Sequence, residues 1–174
     1  MAALEITKLQ SEVPRGVFDC RNASINALIS ESYYPTVLQH AYAFNISCEG
    51  VTIGYYMLKF LSIKLDVCPE EIADYASSMC SDCFSVHIKY IAIDFCYQKK
   101  GIGRNIMQYI IESVFALCKL WPIRLVTIEA LKEKYAWYQN IGFVAFDEEN
   151  LDDDSATIKM YIDCLLEQEV VNNM

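Results

Sequence analysis

The sequence predicts a mixed α/β fold (α+β), and three observations support this prediction. Strand-like runs rich in aromatic and β-branched residues alternate along the chain with segments that have helical spacing. Two pairs of strand-like runs are separated by turn residues and indicate hairpins. One further strand-like run passes through a glycine loop directly into a long helix. The length, residues 1–174, is most economically one domain.

The first half of the chain is predicted to contain an edge strand, a helix and a hairpin. Residues 3–9 alternate loosely and predict an edge strand, and residues 22–32 have a helical face with Asn22 as a candidate cap. The runs 42–48 and 51–61 read as a hairpin around Glu49-Gly50.

The second half alternates helices and strands before a last hairpin. The predicted elements are a helix at 69–79, a strand at 84–94, a helix at 102–118, a strand at 124–130, a helix at 132–140, and a hairpin of 143–146 with 157–163. The apolar stripe of the long helix is interpreted as core packing.

Composition narrows the class of protein. Hydrophobic residues make up 54% and charged residues 21%, which is typical of a packed globular protein. No apolar run approaches the roughly 18 residues of a membrane span, and the first ten residues lack a signal-peptide core. We therefore expect a cytoplasmic protein without a membrane partner. The formal net charge of −9 opposes nonspecific nucleic-acid binding.

The eight cysteines are expected to be reduced thiols. Cys80 and Cys83 form a C-x-x-C pair, which holds zinc or performs redox chemistry in some proteins. Neither His40 nor His87 supplies the spacing of a second ligand pair, so no metal is expected.

The segment Gln98–Gly103 carries the most specific chemical signal. It follows the apolar run Tyr90–Ile93 and opens the helix at 102–118. A loop of this kind presents several backbone N–H groups, together with the positive end of the helix, to a phosphate group. The sequence therefore predicts a phosphate-bearing ligand at this strand-to-helix turn.

The same segment, Gln98-Lys99-Lys100-Gly101-Ile102-Gly103, resembles the acyl-CoA loop of GNAT-superfamily N-acetyltransferases. The segment 137–143, Trp-Tyr-Gln-Asn-Ile-Gly-Phe, is similar to the aromatic-Tyr-x-x-x-Gly-Phe segment of that family, and the resemblance covers roughly residues 42–163. It implies a mostly antiparallel central sheet with flanking helices, in which two adjacent parallel strands, here 84–94 and 124–130, splay apart. It also implies acetyl-CoA as the co-substrate.

The resemblance assigns roles to individual residues. Tyr138 would be the general acid that protonates the departing thiolate. The backbone of Ile91, Ala92 and Ile93 would bind the pantetheine arm. The pyrophosphate would be bound, mainly through amides, by Gln98, Lys99, Lys100, Gly101, Ile102, Gly103 and Arg104. Leu131 and Lys134 stand where many members carry Asn and Ala, so the CoA contact of that asparagine is not expected.

The general base is open among several candidates. His87 lies eleven residues before Gln98, where histone-acetylating members carry a catalytic glutamate. A histidine titrates near neutrality and deprotonates an amine directly or through water. A structural histidine is an equal alternative, and Asp94, Glu129 or water are the other candidates.

The acceptor is also open. Phe18-Asp19-Cys20 followed by Ile25-Asn26-Ala27-Leu28 resembles a segment of the toxin branch of the family, which acetylates the amino group of aminoacyl-tRNA and has an antitoxin partner. The acidic composition instead favours a small-molecule primary amine, attacked directly in a ternary complex. A non-catalytic acyl-CoA-binding module is the alternative of another class, and the aromatic content allows a homodimer. The acids within 147–154 are interpreted as a solvated hairpin tip, with attraction of a cationic amine as the alternative.

Overall fold

The structure, a computed structural model, describes residues 3–73, 80–147 and 156–165. The chain divides into two compact units. The first comprises Met1–Lys59 and Ile88–Met107, and the second comprises Phe60–His87 and Gln108–Met174. The assignment of the whole chain to one domain stays a prediction.

The described strands form a seven-stranded sheet in the order β1-β2-β3-β4-β5-β7-β6. Their bounds are β1 Leu4–Lys8, β2 Tyr42–Cys48, β3 Val51–Lys64, β4 Asp82–Ile93, β5 Ile123–Leu131, β6 Val144–Ala145 and β7 Thr157–Asp163. The pairs β1–β2, β2–β3, β5–β7 and β6–β7 are antiparallel. The predicted fold class, a mixed α/β protein with a mostly antiparallel sheet and flanking helices, is confirmed.

The described helices are α1 Ala23–Ser30, α2 Tyr33–Val37, α3 Glu70–Ala73, α4 Ile102–Cys118 and α5 Tyr135–Gln139. The side chain of Asn22 caps α1 by accepting a hydrogen bond from the Ile25 amide at 3.1 Å, as the sequence predicts. No helix within 3–73, 80–147 and 156–165 is long and apolar enough to cross a membrane.

In the first unit, the β2–β3 hairpin turns at Glu49 and Gly50, whose φ angles are +52° and +78°. Two successive residues with positive φ make the tight turn whose twist matches a β-hairpin, and glycine adopts that conformation without strain. The apolar core of this unit includes Ile29, Ala43 and Tyr90. The buried hydroxyls of Ser32 and Tyr90 are 2.7 Å apart, so these two polar groups are hydrogen-bonded to each other.

In the second unit, β5 pairs with β7 from Leu125 opposite Asp163 to Leu131 opposite Thr157. Leu65, Ile72 and Leu125 form a buried cluster. Arg124 at the start of β5 makes a two-point ion pair with Asp163, with Nε–Oδ1 at 2.6 Å and Nη2–Oδ2 at 2.7 Å.

Several elements differ from the sequence prediction. Helix α2 was not predicted; Pro35 lies in its first turn, where proline is tolerated. Strand β3 runs three residues farther than expected. Of the helix predicted at 69–79, α3 covers Glu70–Ala73, and 74–79 lie outside the described residues. Of the acidic hairpin tip, only Asp147 lies within them.

Candidate active site

The predicted phosphate loop is shaped by two residues with left-handed backbone conformations. A 3₁₀ turn at Phe95–Tyr97 follows β4, and α4 begins at Ile102. Between them, Lys99 has a φ of +60° and Gly101 a φ of +79°. No heavy atom lies within 4 Å of a Cβ placed on Gly101, so its conformation and not crowding favours glycine there.

The backbone amides of this loop suit an anionic group. The first N–H groups of a helix have no carbonyl partner inside the helix and carry its positive dipole. No acidic residue occupies the first turn of α4 to compete for them. The loop therefore fits the diphosphate of CoA through the amides that follow Gln98, and the residues that would hold it are Lys99, Lys100, Gly101, Ile102, Gly103 and Arg104.

Gln98 fixes the base of the loop through its side chain. Its Nε2 donates to the carbonyl oxygen of Ile93 at 2.8 Å and to that of Cys20 at 3.1 Å. The first bond ties the loop to the end of β4, and the second ties it to the N-terminal segment. Both hydrogen bonds are partly buried, so water competes with them less. They therefore hold the loop in one orientation.

The N-terminal segment that resembles the toxin branch packs against this same turn. The Phe95 amide donates to the Asp19 carbonyl oxygen at 2.9 Å. The carboxylate of Asp19 accepts from the Arg21 amide at 2.7 Å and from the Asn26 side chain at 3.0 Å. These two donors lower the pKa of Asp19. The segment thus acts as a brace behind the predicted CoA loop.

The cationic side chains around the loop are exposed. Lys100 bends back, and its Nζ donates to the Cys96 carbonyl oxygen at 3.0 Å. It also lies 5.1 Å from the ring centre of Tyr97. Lys99 and Arg104 are exposed on the same stretch of chain. The backbone amide of Lys100 is therefore better placed than its side-chain ammonium group to bind an anion at this loop.

The segment assigned to the pantetheine arm is the end of β4. Ile91 is half-buried, whereas Ala92 and Ile93 are buried. The Ala92 carbonyl oxygen lies only 2.6 Å from where a Cβ of Gly54 would stand, so β3 must carry glycine opposite it. The Ile93 carbonyl accepts from Gln98, which leaves the half-buried Ile91 as the residue of this segment with most access.

Tyr138 is a buried phenol on α5. Its side chain has edge contacts with Trp137, at 4.7 Å between ring centres, and with Phe143, at 5.7 Å. Burial raises the pKa of Tyr138 to about 12, so it is protonated at neutral pH. Within the part of the chain that the structure describes, no group hydrogen-bonds its hydroxyl. This is the state that a proton donor to a thiolate requires.

His87 lies on β4 and contacts the buried hydroxyl of Thr127 on β5, which also contacts the buried hydroxyl of Ser85 on β4. Its Nδ1 is 3.1 Å from the Thr127 Oγ1, which is 3.3 Å from the Ser85 Oγ. Ser85 and Thr127 are fully or nearly fully buried, and His87 is half-buried. Neither hydroxyl residue was predicted; the signal for Ser85 was a small polar residue two positions before His87 in a mostly apolar strand.

The other carboxylate candidates for the base have structural partners. Asp94 accepts from the Cys96 amide at 3.0 Å and caps the 3₁₀ turn. Glu129 accepts from the Thr157 hydroxyl at 2.7 Å and is exposed on β5. These contacts favour His87 over both, and the base assignment stays a prediction.

The cysteines form no metal centre within the described residues, where no group of three metal-ligating side chains converges. Cys80 is exposed and bonds the Asp82 carbonyl. Cys83 instead neighbours Cys68, and burial together with this second thiol raises the pKa of Cys83 to about 12. Cys83 is therefore a thiol at neutral pH, not a thiolate.

Solved structures with the same fold cover this chain almost completely. AtaT complexed with acetyl-methionyl-tRNAfMet is 16% identical, with a TM-score of 0.79 over 97% of this chain and 99% of that one. A tyrosine-to-phenylalanine mutant of KacT is 20% identical, with a TM-score of 0.77 over 96% and 98%. An AtaT mutant bound to acetyl-CoA and the C-terminus of the antitoxin AtaR is 18% identical, with a TM-score of 0.70 over 97% of each chain.

No curated protein matches the chain by sequence. The family model described as the acetyltransferase (GNAT) domain matches residues 68–164, which is more than half of the chain. This match includes β4, the glycine loop, α4 and the segment around Tyr138. The chain belongs to the GNAT family of acetyltransferases, enzymes whose co-substrate is acetyl-CoA.

Proposed function

We propose that this enzyme transfers the acetyl group of acetyl-CoA to the α-amino group of an aminoacyl-tRNA, by direct attack in a ternary complex. The observation that carries the proposal is the likeness to AtaT bound to acetyl-methionyl-tRNAfMet, which extends over nearly the whole of both chains. The N-terminal segment around Asp19 supports it, because it belongs to the resemblance with the toxin branch and braces the CoA loop.

The chemistry assigned to the described residues is a single acyl transfer. The amine must first lose a proton, which His87 accepts directly or through water. The amine nitrogen then bonds to the thioester carbonyl carbon while the carbon–sulfur bond breaks. The bonded nitrogen releases its second proton to solvent, the leaving thiolate takes the phenol proton of Tyr138, and solvent reprotonates the phenol. The products are the N-acetylated acceptor and CoA.

The binding of acetyl-CoA is assigned to the glycine loop and the end of β4. The amides from Lys99 to Arg104 bind the diphosphate, and the backbone at Ile91 takes the pantetheine arm. When bound, acetyl-CoA supplies the activated acetyl group. Gln98 contributes by holding the loop in shape through its bonds to Ile93 and Cys20.

An antitoxin is the proposed protein partner. One of the similar structures, an AtaT mutant, is bound to the C-terminus of its antitoxin AtaR. A toxin that acetylates charged tRNA must be neutralised in its own cell, so we expect a small partner that binds this enzyme and stops turnover. Co-expression with the neighbouring reading frame, followed by growth and pull-down assays, tests this expectation.

A small cationic amine is the second candidate acceptor, and the net charge of −9 favours it. An acidic protein attracts cations and repels a polyanion such as tRNA, with an effect that salt screens. The mechanism assigned to Tyr138 and His87 is the same for both acceptors. The two candidates therefore differ in acceptor and not in chemistry.

Label transfer from [¹⁴C]acetyl-CoA tests the function and separates the candidates. The acceptors are a pool of aminoacylated tRNA, the same pool after deacylation, and a panel of polyamines, aminoglycosides and lysine-rich peptides. We expect label in the aminoacylated pool alone. Label in the amine panel with none in tRNA supports the second candidate, and no label in any acceptor supports the non-catalytic acyl-CoA-binding alternative.

A further inference from the structure

Arg21 places a guanidinium beside the turn that leads into the glycine loop. Its Cζ lies 4.3 Å from the ring centre of Phe95, the first residue of the 3₁₀ turn after β4. The Phe95 amide donates to the Asp19 carbonyl oxygen at 2.9 Å, and Gln98 Nε2 donates to the Cys20 carbonyl oxygen at 3.1 Å. The two residues before Arg21 are thus both bonded to this part of the chain, and all five belong to the first unit.

The backbone of Arg21 sets the direction of its side chain. Its φ is +64°, in the left-handed region that bulky residues rarely adopt. The Asp19 Oδ1 accepts a hydrogen bond from the Arg21 amide at 2.7 Å, and an aspartate that bonds the amide two residues on stabilises such a turn. The next residue, Asn22, caps α1. The chain is therefore held on both sides of Arg21.

The guanidinium of Arg21 is held at one corner and open at the other. Its Nε lies 3.4 Å from Asp19 Oδ2, and its Cζ lies over the Phe95 ring. Within the part of the chain that the structure describes, neither Nη nitrogen has a hydrogen-bond partner. The side chain is 64% exposed. Two open Nη groups on a planar guanidinium form a fork that fits two oxygens of one phosphate.

The cationic side chains at this turn outnumber the carboxylates. The cations are Arg21, Lys99, Lys100 and Arg104, and the carboxylates are Asp19 and Asp94. Both carboxylates accept backbone amides, Asp19 that of Arg21 and Asp94 that of Cys96. The turn therefore favours an anion, although the whole chain has a net charge of −9.

CoA carries one phosphate group for which the glycine loop does not account. The loop amides are the proposed site of the 5′-diphosphate. The ribose of the same molecule carries a separate 3′-phosphate, and a phosphate monoester has a charge of about −1.5 to −2 at neutral pH. Arginine binds such a group through two parallel N–H···O bonds.

We propose that Arg21 binds the 3′-phosphate of CoA through its two Nη groups. This inference rests on the proposed binding of the diphosphate by the glycine loop, and it is independent of the acceptor. Phe95 and Asp19 are positioning residues, because they hold the guanidinium and leave its Nη groups open.

Calorimetry with CoA and with 3′-dephospho-CoA tests the proposal on the wild-type protein. The two ligands differ only in the 3′-phosphate. We expect 3′-dephospho-CoA to bind about fivefold more weakly, which is the upper range for an exposed charge pair. This difference should shrink at high salt. Equal affinities for the two ligands overturn the proposal, and this comparison needs no variant.

Arg21→Gln and Arg15→Gln are the matched variants. Both remove one exposed positive charge near the N-terminus, but Arg15 pairs with Glu31, at 3.9 Å, and not with the turn. Arg21→Gln should bind CoA about fivefold more weakly and 3′-dephospho-CoA with wild-type affinity. Arg15→Gln should keep the wild-type affinity for both ligands, and an equal loss of CoA affinity in the two variants overturns the proposal.

Two further outcomes would contradict the assignment. If Arg21→Gln weakened both ligands equally, Arg21 would act on the diphosphate or on the fold. If both affinities stayed at the wild-type value while the KM for charged tRNA rose, the guanidinium would bind the acceptor. The diphosphate site is tested separately by Gln98→Ala, which should weaken both ligands alike. A failure of the loop assignment and a failure of the Arg21 assignment therefore give different results.

Discussion

The Nε2 of Gln98 lies 2.8 Å from the carbonyl oxygen of Ile93, within hydrogen-bonding distance across the base of the glycine loop. The same nitrogen donates to Cys20, which is 78 residues away in sequence. One side chain thus joins the end of β4, the loop and the N-terminal segment. Gln98, which the sequence predicts to be part of a phosphate loop, holds that loop in place in the structure.

Gln98→Ala should weaken acetyl-CoA binding without removing any group that touches the co-substrate. Two partly buried hydrogen bonds of about 0.5–1.5 kcal/mol each are lost, which corresponds to about a tenfold increase in Kd. Isothermal titration calorimetry with acetyl-CoA measures this change. Gln10→Ala is the matched control, since Gln10 also donates to a carbonyl, that of Lys8, but at an exposed site. Equal affinity of the two variants for acetyl-CoA would contradict the role of Gln98 in holding the loop.

Tyr138→Phe should lower turnover by about 10²–10⁴-fold and leave acetyl-CoA affinity unchanged. The phenol proton is lost while the buried ring and its contacts with Trp137 and Phe143 remain. Steady-state kinetics by thiol release, combined with calorimetry, separates the two effects. Tyr135→Phe on the same helix is the control and should keep wild-type turnover. Wild-type kcat in Tyr138→Phe would exclude the acid role.

The titration of Tyr138 should appear far above the range of an ordinary tyrosine. Burial raises its pKa to about 12 in the folded protein, whereas an unfolded chain ionises near pH 10. The resulting stability is fully present below about pH 10 and is lost as the pH rises through the folded pKa.

Ultraviolet difference titration of wild type against Tyr138→Phe measures this shift. The tyrosinate absorbance specific to Tyr138 should rise only above about pH 11, and kcat should show no alkaline loss from this group below about pH 10. A difference signal with a midpoint near pH 10 would show that the phenol is exposed, contrary to its burial in the structure.

Asp163→Ala should destabilise the second unit strongly. The change leaves the Arg124 guanidinium, whose side chain is only 20% exposed, without its two-point partner. Breaking a buried ion pair from one side costs roughly 3–5 kcal/mol in the free energy of unfolding. Urea denaturation measures it. Glu133→Ala is the control, because the Lys134–Glu133 pair is exposed and such pairs contribute about 0–1 kcal/mol. If both variants lost the same unfolding free energy, the Arg124–Asp163 ion pair would not be the strong, partly buried contact that the structure shows.

The sequence was most informative where local spacing determines structure. The bounds of α4, Ile102–Cys118, match the prediction because an apolar stripe at helical spacing follows directly on a glycine loop. The β2–β3 hairpin was equally readable from Glu49-Gly50, since few residue pairs adopt its turn.

Relationships between distant residues were not accessible in this way. The partners of His87 depend on which strand lies beside β4 and on its register, which places Thr127 forty residues away in sequence at 3.1 Å. The bond from Gln98 to Cys20 likewise depends on the path of the N-terminal segment. Helix α2 was not predicted, although Pro35 lies in its first turn, where proline is tolerated.

Mass analysis of the tRNA 3′ end measures the proposed acetylation of the aminoacyl-tRNA α-amino group without any coupled assay. Charged tRNA is incubated with acetyl-CoA and the enzyme, then digested with nuclease to release the terminal aminoacyl-adenosine. We expect N-acetyl-aminoacyl-adenosine with the wild-type protein and far less with Tyr138→Phe. Unmodified aminoacyl-adenosine alone, from an enzyme that acetylates a small amine in the same buffer, would contradict it.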